Sequence, residues 1–193
     1  MQVPIFAVLL AAATLTACAS RSAPAAGTVP VAARAPYAAG DVAFLQGMIG
    51  HHAQALEMTA LVAGRSDSPI IARLAERIRA SQVAEIAQMQ RWLDARNLPA
   101  SPAAHHAHMP GMLTADEMQR LEGASGDAFD RLFLELMIRH HQGALTMVAD
   151  LLAAESAGLE PEVFRLAADV DADQRAEIAR MQQILSTLDQ GPP

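Results

Sequence analysis

The stretch FLQGMIGHHAQALEM, residues 44–58, returns as FLELMIRHHQGALTM at residues 133–147. A second segment, QVAEIAQMQ at 82–90, returns as QRAEIARMQ at 174–182. Each segment has apolar residues at spacings of three and four, which is typical of a helix with one buried face. The sequence therefore predicts two copies of a helical hairpin, one following the other.

Two copies of a helical hairpin joined by a long central connection predict an all-α fold, a four-helix bundle with pseudo-twofold symmetry. Capping residues, prolines and glycines flank the repeats and predict where the helices begin and end. The candidate helix starts are Asp41, Ser68-Pro69, Asp127 or Asp130, and Pro161, the candidate ends are Gly64, Asn97 and Gly158, and Thr114 with Glu117 forms a capping box for a short helix in the connection.

The N-terminal residues predict export. Residues 3–17 form a short apolar stretch that ends in Leu15-Thr16-Ala17-Cys18, which resembles a bacterial lipoprotein signal with lipidation at Cys18. Residues 18–39 are rich in Ala, Pro and Ser and predict a disordered tether. We therefore expect a signal peptide at 1–17, a tether at 18–39 and the bundle domain at 40–190, held in the cell envelope by a lipid anchor.

Composition narrows the range of partners and chemistry. Hydrophobic residues make up 52% of the 193 residues, which is enough for one buried core, and the formal net charge is -7. The cations are all arginine and alternate with acids, so we expect no nucleic-acid partner and no membrane contact beyond the anchor. Cys18 is the only cysteine, which excludes a thiolate metal site in the bundle. The oligomeric state is not fixed by the sequence.

The histidines fall into three groups, each with methionines close by in the sequence. His51-His52 and His140-His141 lie on the same helical stripe as the core residues of each repeat, and imidazole with thioether is a ligand set that suits copper. Whether the two pairs form one site or two stays open at this point. The metal-ligand candidates in the helices are Met48, His51, His52, Met58, Met89, Met137, His140, His141, Met147 and Met181.

Two further groups of residues extend this prediction. Glu85 and Glu177 are candidate ligands or, equally, acceptors for an imidazole N–H. The connection at 100–113 carries a His- and Met-rich loop, which predicts the capture of copper as Cu(I) or Cu(II). We expect binding to weaken below about pH 6, where free imidazole becomes protonated. The loop candidates are His105, His106, His108, Met109 and Met112.

The repeated pattern Phe-x-x-x-Met-x-x-His-His-x-x-Ala-Leu-x-Met, with Gln-x-x-Glu-Ile-x-x-Met-x-x-Trp-Leu at 82–93, resembles the bacterial domain of unknown function 305, a ferritin-like family that includes CopM-like copper-binding proteins. The resemblance covers about residues 40–188. It implies an exported protein that sequesters or transfers copper in the cell envelope, in copper tolerance or homeostasis. Other envelope copper proteins are then candidate partners, and no enzymatic activity is expected.

Two other functions compete with copper binding. A ferritin-like metallo-oxidase uses Glu-x-x-His motifs, and the sequence contains none. A non-covalent haem-binding bundle needs only one His or Met ligand from each side of the haem, which this sequence supplies. The absorption spectrum and the metal content of the purified protein distinguish the three alternatives.

Overall fold

The computed structural model describes residues 37–100, 109–154 and 160–190. The predicted signal peptide, residues 18–36 of the predicted tether with Cys18, and His105, His106, His108 and Gly158 lie outside these ranges, whereas Ala39 of the predicted tether is the first residue of α1. The described helices are α1 (Ala39–Ala60), α2 (Pro69–Asp94), α3 (Ala115–Gly123), α4 (Gly126–Ala153) and α5 (Pro161–Gln190).

The predicted all-α fold is confirmed. α1 packs along α2 and α4 packs along α5, so each repeat forms a hairpin, and the hairpins meet chiefly through α1 and α4. The short helix α3 lies in the connection and contacts α4. None of the helices in the described ranges is long and apolar enough to cross a membrane.

Helix starts follow the predicted caps in three places and depart from them in two. Ser68 accepts from Ile71 N–H ahead of Pro69, Thr114 and Glu117 form the capping box, and Pro161 is the first residue of α5. Asp41, however, lies inside α1, where it accepts from Ala38 N–H at 2.8 Å. The prediction for α4 is wrong, because Ser125 occupies its N-cap and Asp130 is buried one turn further along.

The core has two apolar clusters, one toward each end of the bundle. The first cluster takes the C-terminal half of α1 and the N-terminal half of α4, including Ala55 and Phe133. The second takes the opposite halves, including Phe44 and Val148. α1 and α4 therefore run antiparallel. Between the clusters every long helix contributes two buried polar residues, which we call the polar layer: His51, His52, Gln82, Glu85, His140, His141, Gln174 and Glu177.

Candidate metal centre

The polar layer exists because the sequence repeat places its polar residues on buried helical faces. In α1 and α4 the histidine pairs follow a buried methionine by three and four residues, which puts them on the buried stripe of each helix. In α2 and α5 a glutamine and a glutamate three residues apart share one face. All eight side chains are almost completely excluded from solvent.

The second histidine of each pair, His52 or His141, is paired with a glutamate of its own hairpin. His52 Nε2 contacts Glu85 Oε2, and His141 Nε2 lies 2.6 Å from Glu177 Oε2. Ser81 donates to the other oxygen of Glu177 at 2.9 Å. A carboxylate that accepts from Nε2–H fixes the imidazole tautomer and leaves the lone pair on Nδ1.

The first histidine of each pair, His51 or His140, lies at the centre of the bundle. The ring centroids of His51 and His140 are 3.9 Å apart, with 36° between the ring planes. His51 Nε2 donates to the carbonyl oxygen of Pro110 at 3.0 Å. Both nitrogens of His140 are buried without a hydrogen-bond partner. The two histidine pairs therefore lie in one layer rather than in two separate regions of the fold.

Burial sets the protonation of this layer. Burial and the neighbouring His52 lower the pKa of His51 to about 3, and burial with the neighbouring His141 lowers the pKa of His52 to about 3. Burial lowers the pKa of His140 well below its usual range. These imidazoles are neutral at pH 7, and neutral imidazole is the form that ligates metal.

The two glutamates have different surroundings. Burial raises the pKa of Glu85 to about 8, and the negative charges of Asp173 and Glu177 act in the same direction. Asp173 occupies the place in α5 that corresponds to Ser81 in α2. One hairpin thus faces an acid where the other faces a hydroxyl.

The layer contains buried ring nitrogens that the protein leaves unpartnered. They are Nδ1 of His51, His52 and His141, and both nitrogens of His140. An unsatisfied polar atom in a protein interior costs on the order of 1–3 kcal/mol. Imidazole lone pairs that stay buried without a partner at such a cost fit a site for a metal ion, which nitrogen atoms can coordinate.

Methionines lie on both sides of the polar layer. The repeat relates Met48 to Met137, Met58 to Met147 and Met89 to Met181, and the antiparallel packing sends the members of each pair to opposite clusters. One trio is therefore Met48, Met89 and Met147, the last only partly buried, and the other is Met58, Met137 and Met181, all fully buried.

The acids and imidazoles do not converge on one point. In the part of the chain that the structure describes, no three or more His, Cys, Asp or Glu side chains are grouped so as to hold a metal ion. An oxygen- and nitrogen-only centre of the di-iron kind therefore has no ready ligand set there. Pairs of imidazoles beside thioethers fit a soft cation of low coordination number better, and Cu(I) is such a cation.

Part of the predicted His- and Met-rich loop is docked on the bundle. We call residues 109–113 the strap. Besides the Pro110–His51 hydrogen bond, the side chain of Gln54 accepts from Leu113 N–H at 2.7 Å and donates to Leu113 C=O at 3.0 Å. Gly143, the residue that corresponds to Gln54 in the second repeat, lies against the strap so closely that a Cβ there would be 2.0 Å from Pro110 O.

Sequence reasoning missed the residues that dock the strap. Gln54 and Gly143 belong to the repeated stretch, but they differ between its two copies. That difference is the signal that could have found them. The bundle has two similar halves but only one central connection, so the two helix surfaces that contact the connection must differ. Met109 and Met112 of the strap are described and partly exposed.

Comparison with known proteins identifies the family. The family described as Domain of unknown function (DUF305) matches residues 41–185. No curated protein matches. A DUF305 fragment from Deinococcus radiodurans is 37% identical, with a TM-score of 0.71, over 79% of this chain and 99% of that one.

Two further solved structures are similar. A DUF305 protein from Streptomyces coelicolor, predicted to be secreted, is 32% identical with a TM-score of 0.68, over 78% of this chain and 94% of that one. CopM in its Cu(I)-bound form is 30% identical with a TM-score of 0.61, over 76% of this chain and 96% of that one. CopM has also been solved with Cu(II) and with Ag. The chain therefore belongs to the DUF305 family.

Proposed function

We propose that this protein is an exported copper-binding protein that sequesters or transfers copper in the cell envelope. The observation that carries the proposal is the polar layer, in which four buried histidines present unpartnered ring nitrogens between two methionine trios. Similarity to CopM, which was solved with Cu(I) and Cu(II), supports the same metal. Neither the oxidase nor the haem alternative has a comparable observation in its favour.

The candidate ligand atoms are the ring nitrogens that have no hydrogen-bond partner in the protein. Glu85 and Glu177 occupy Nε2 of His52 and His141, so Nδ1 is the donor that these two histidines offer. The glutamates would then orient the ligating rings without touching the metal. Thioethers of the five buried trio members would supply the soft donors that favour Cu(I) over harder cations, namely Met48, Met58, Met89, Met137 and Met181.

Export and a lipid anchor complete the proposal. The Streptomyces relative is predicted to be secreted, which supports export. The lipidation at Cys18 is proposed from the N-terminal residues alone. An envelope protein meets copper outside the cytosol, where thiol carriers are scarce, so histidine and methionine ligands suit that location. Other envelope copper proteins would be its partners in transfer.

A Cu(I) titration against a chromophoric competitor tests the function. We expect the wild-type protein to withdraw Cu(I), and the variant with His51, His52, His140 and His141 all changed to Ala to lose that binding. Met118→Leu is the matched control, because Met118 lies in α3 and is a member of neither trio. Unchanged stoichiometry and affinity in a folded four-histidine variant would overturn the proposal. A haem absorption band in the protein as purified would show that the bundle binds haem instead of copper.

A further inference from the structure

The strap brings one of its methionines to the edge of the bundle next to the polar layer. Met109 precedes Pro110, whose carbonyl accepts the His51 hydrogen bond. Gln54 and Gly143 hold the following residues of the strap against α1 and α4. The residues that directly follow Met109 are therefore held by contacts with both α1 and α4.

Met109 and a second methionine, Met147, both approach Gly47. A Cβ built on Gly47 would lie 3.5 Å from Met109 Sδ and 3.3 Å from Met147 Cε. The two thioether side chains thus share the space that a side chain at position 47 would fill. The second repeat has Leu136 at the corresponding position, so the opening exists on one side of the bundle only. Gly47 precedes His51 by four residues, about 6 Å along the helix.

This pair of methionines is partly open to solvent, unlike the five trio methionines other than Met147, which are buried. Gly47, Met109 and Met147 are each partly exposed. Met147 also lines a surface groove of about 260 Å³ together with Phe44 and Asp150. The carboxylate of Asp150 is exposed beside this groove and attracts cations toward it.

We propose that Met109 and Met147, brought together over Gly47 by the docked strap, form an outer Cu(I) site through which the ion reaches His51 and His140. The inference rests on the proposed function and names the route of copper into the site. Thioethers are soft, uncharged donors that bind Cu(I) without a proton to displace. A pair of them holds the ion weakly, which suits a site that must release it inward.

Transfer from this site is a ligand exchange without oxidation or reduction. The bonds between copper and the two sulfurs break as bonds to imidazole nitrogen form, and copper stays Cu(I). Nδ1 of His51 and one ring nitrogen of neutral His140 carry lone pairs without a hydrogen-bond partner and can bind the ion. Residues of the outer site therefore govern how fast copper enters more than how tightly it is finally held.

The test compares the rate of Cu(I) uptake with the final affinity. The full-length protein is mixed with a chromophoric Cu(I) complex, and loss of the colour is followed in time and at equilibrium. For the double variant Met109→Leu and Met147→Leu we expect uptake slowed at least about tenfold, with the final affinity changed less than about twofold. Gly47→Leu, which installs the residue of the second repeat, should slow uptake similarly, and Met118→Leu should leave it unchanged.

The possible outcomes separate this inference from the proposed function. If the double variant takes up Cu(I) as fast as the wild type, the outer site is wrong while copper binding stands. If the double variant loses equilibrium binding altogether, the two methionines are final ligands, which also contradicts a transfer role. If the wild type takes up no Cu(I), both proposals fail. Circular dichroism of each variant establishes that it is folded.

Discussion

The rings of His51 and His140 lie against each other at the centre of the bundle, 3.9 Å from centroid to centroid and tilted by 36°. These residues occupy equivalent positions in the two repeats, so the pseudo-twofold axis passes between them. A site at this place draws on both hairpins equally. Duplication of a helical hairpin thus produces a four-histidine layer from a single His-His pair.

The contact between Gly143 and the strap leads to a stability prediction. We expect Gly143→Ala to lower the free energy of unfolding by about 1–3 kcal/mol, because its Cβ would overlap Pro110 O and force the strap or α4 to move. Chemical denaturation measures this. Gly123→Ala is the control, since a Cβ there meets nothing within 4 Å, and it should be neutral or slightly stabilising. Equal effects of the two substitutions would contradict the close approach.

Gln54 holds the strap through two hydrogen bonds to Leu113. We expect Gln54→Ala to destabilise the protein by about 1–3 kcal/mol, because both main-chain groups of Leu113 lose their partner. Hydrogen exchange should become faster at the amides of residues 111–113 first. Gln142→Ala, at an exposed position of α4, should leave both quantities unchanged. Protection of the strap that survives Gln54→Ala would show that other contacts hold it.

Asp173 gives a prediction about stability and pH. The folded-state pKa of Glu85, about 8, lies above its unfolded value, so the stability from this group is present below about pH 4.5 and is lost as pH rises through 8. Asp173→Ser, which installs the residue found at the equivalent position 81, removes a negative charge near Glu85 and lowers that pKa. We expect the variant to gain about 1 kcal/mol over the wild type at pH 8 and little at pH 5. Urea denaturation at both pH values measures the difference, and an equal change at both would refute the assignment.

The pH dependence of copper binding should differ from that of free histidine. Sequence reasoning predicts weakening below about pH 6, but burial lowers the pKa of His51 and His52 to about 3. Protons therefore do not compete for these imidazoles until the pH is far lower. We expect the Cu(I) affinity to change less than about threefold between pH 7 and 5.5, as measured with a competitor calibrated at each pH.

A tenfold or larger loss of affinity over that pH range would mean that copper sits on histidines of ordinary pKa. The protein itself should lose stability as the pH falls below about 6.5. The histidines of the unfolded chain then become protonated, whereas the buried imidazoles of the folded protein stay neutral. The titratable groups that face one another in the layer are His51 and His52 of α1, Glu85 of α2, His140 and His141 of α4, and Glu177 of α5, with Asp173 at its edge.

The sequence was sufficient to predict the bundle and its inward-facing polar residues. Buried positions in a helix recur at spacings of three and four, so the stripe that holds Phe44, His51 and Met58 is visible in one copy and confirmed by the other. Ser68 and Thr114 were predictable as caps for the same reason, because capping chemistry is local. The error at the start of α4 arose because several polar residues precede that helix and only one can occupy its N-cap.

Long-range relationships were not predictable from spacing. Periodicity places His52 and Glu85 on inward faces, but it does not say that they pair or that His51 meets His140. The methionine trios depend on the antiparallel register of the hairpins, which no single segment encodes. The useful positions are those at which the two repeats carry different residues: Gly47 and Leu136, Gln54 and Gly143, and Ser81 and Asp173. Each disagreement marks a place where the strap or a charge breaks the symmetry.

Anomalous diffraction at the copper edge, from crystals of the copper-loaded protein, tests the central claim most directly. We predict copper at the polar layer, with ligands drawn from the four buried histidines and the adjoining methionines. Copper found only on the histidines and methionines of residues 105–112, with the layer metal-free, would contradict the claim and leave the bundle as a scaffold for that loop.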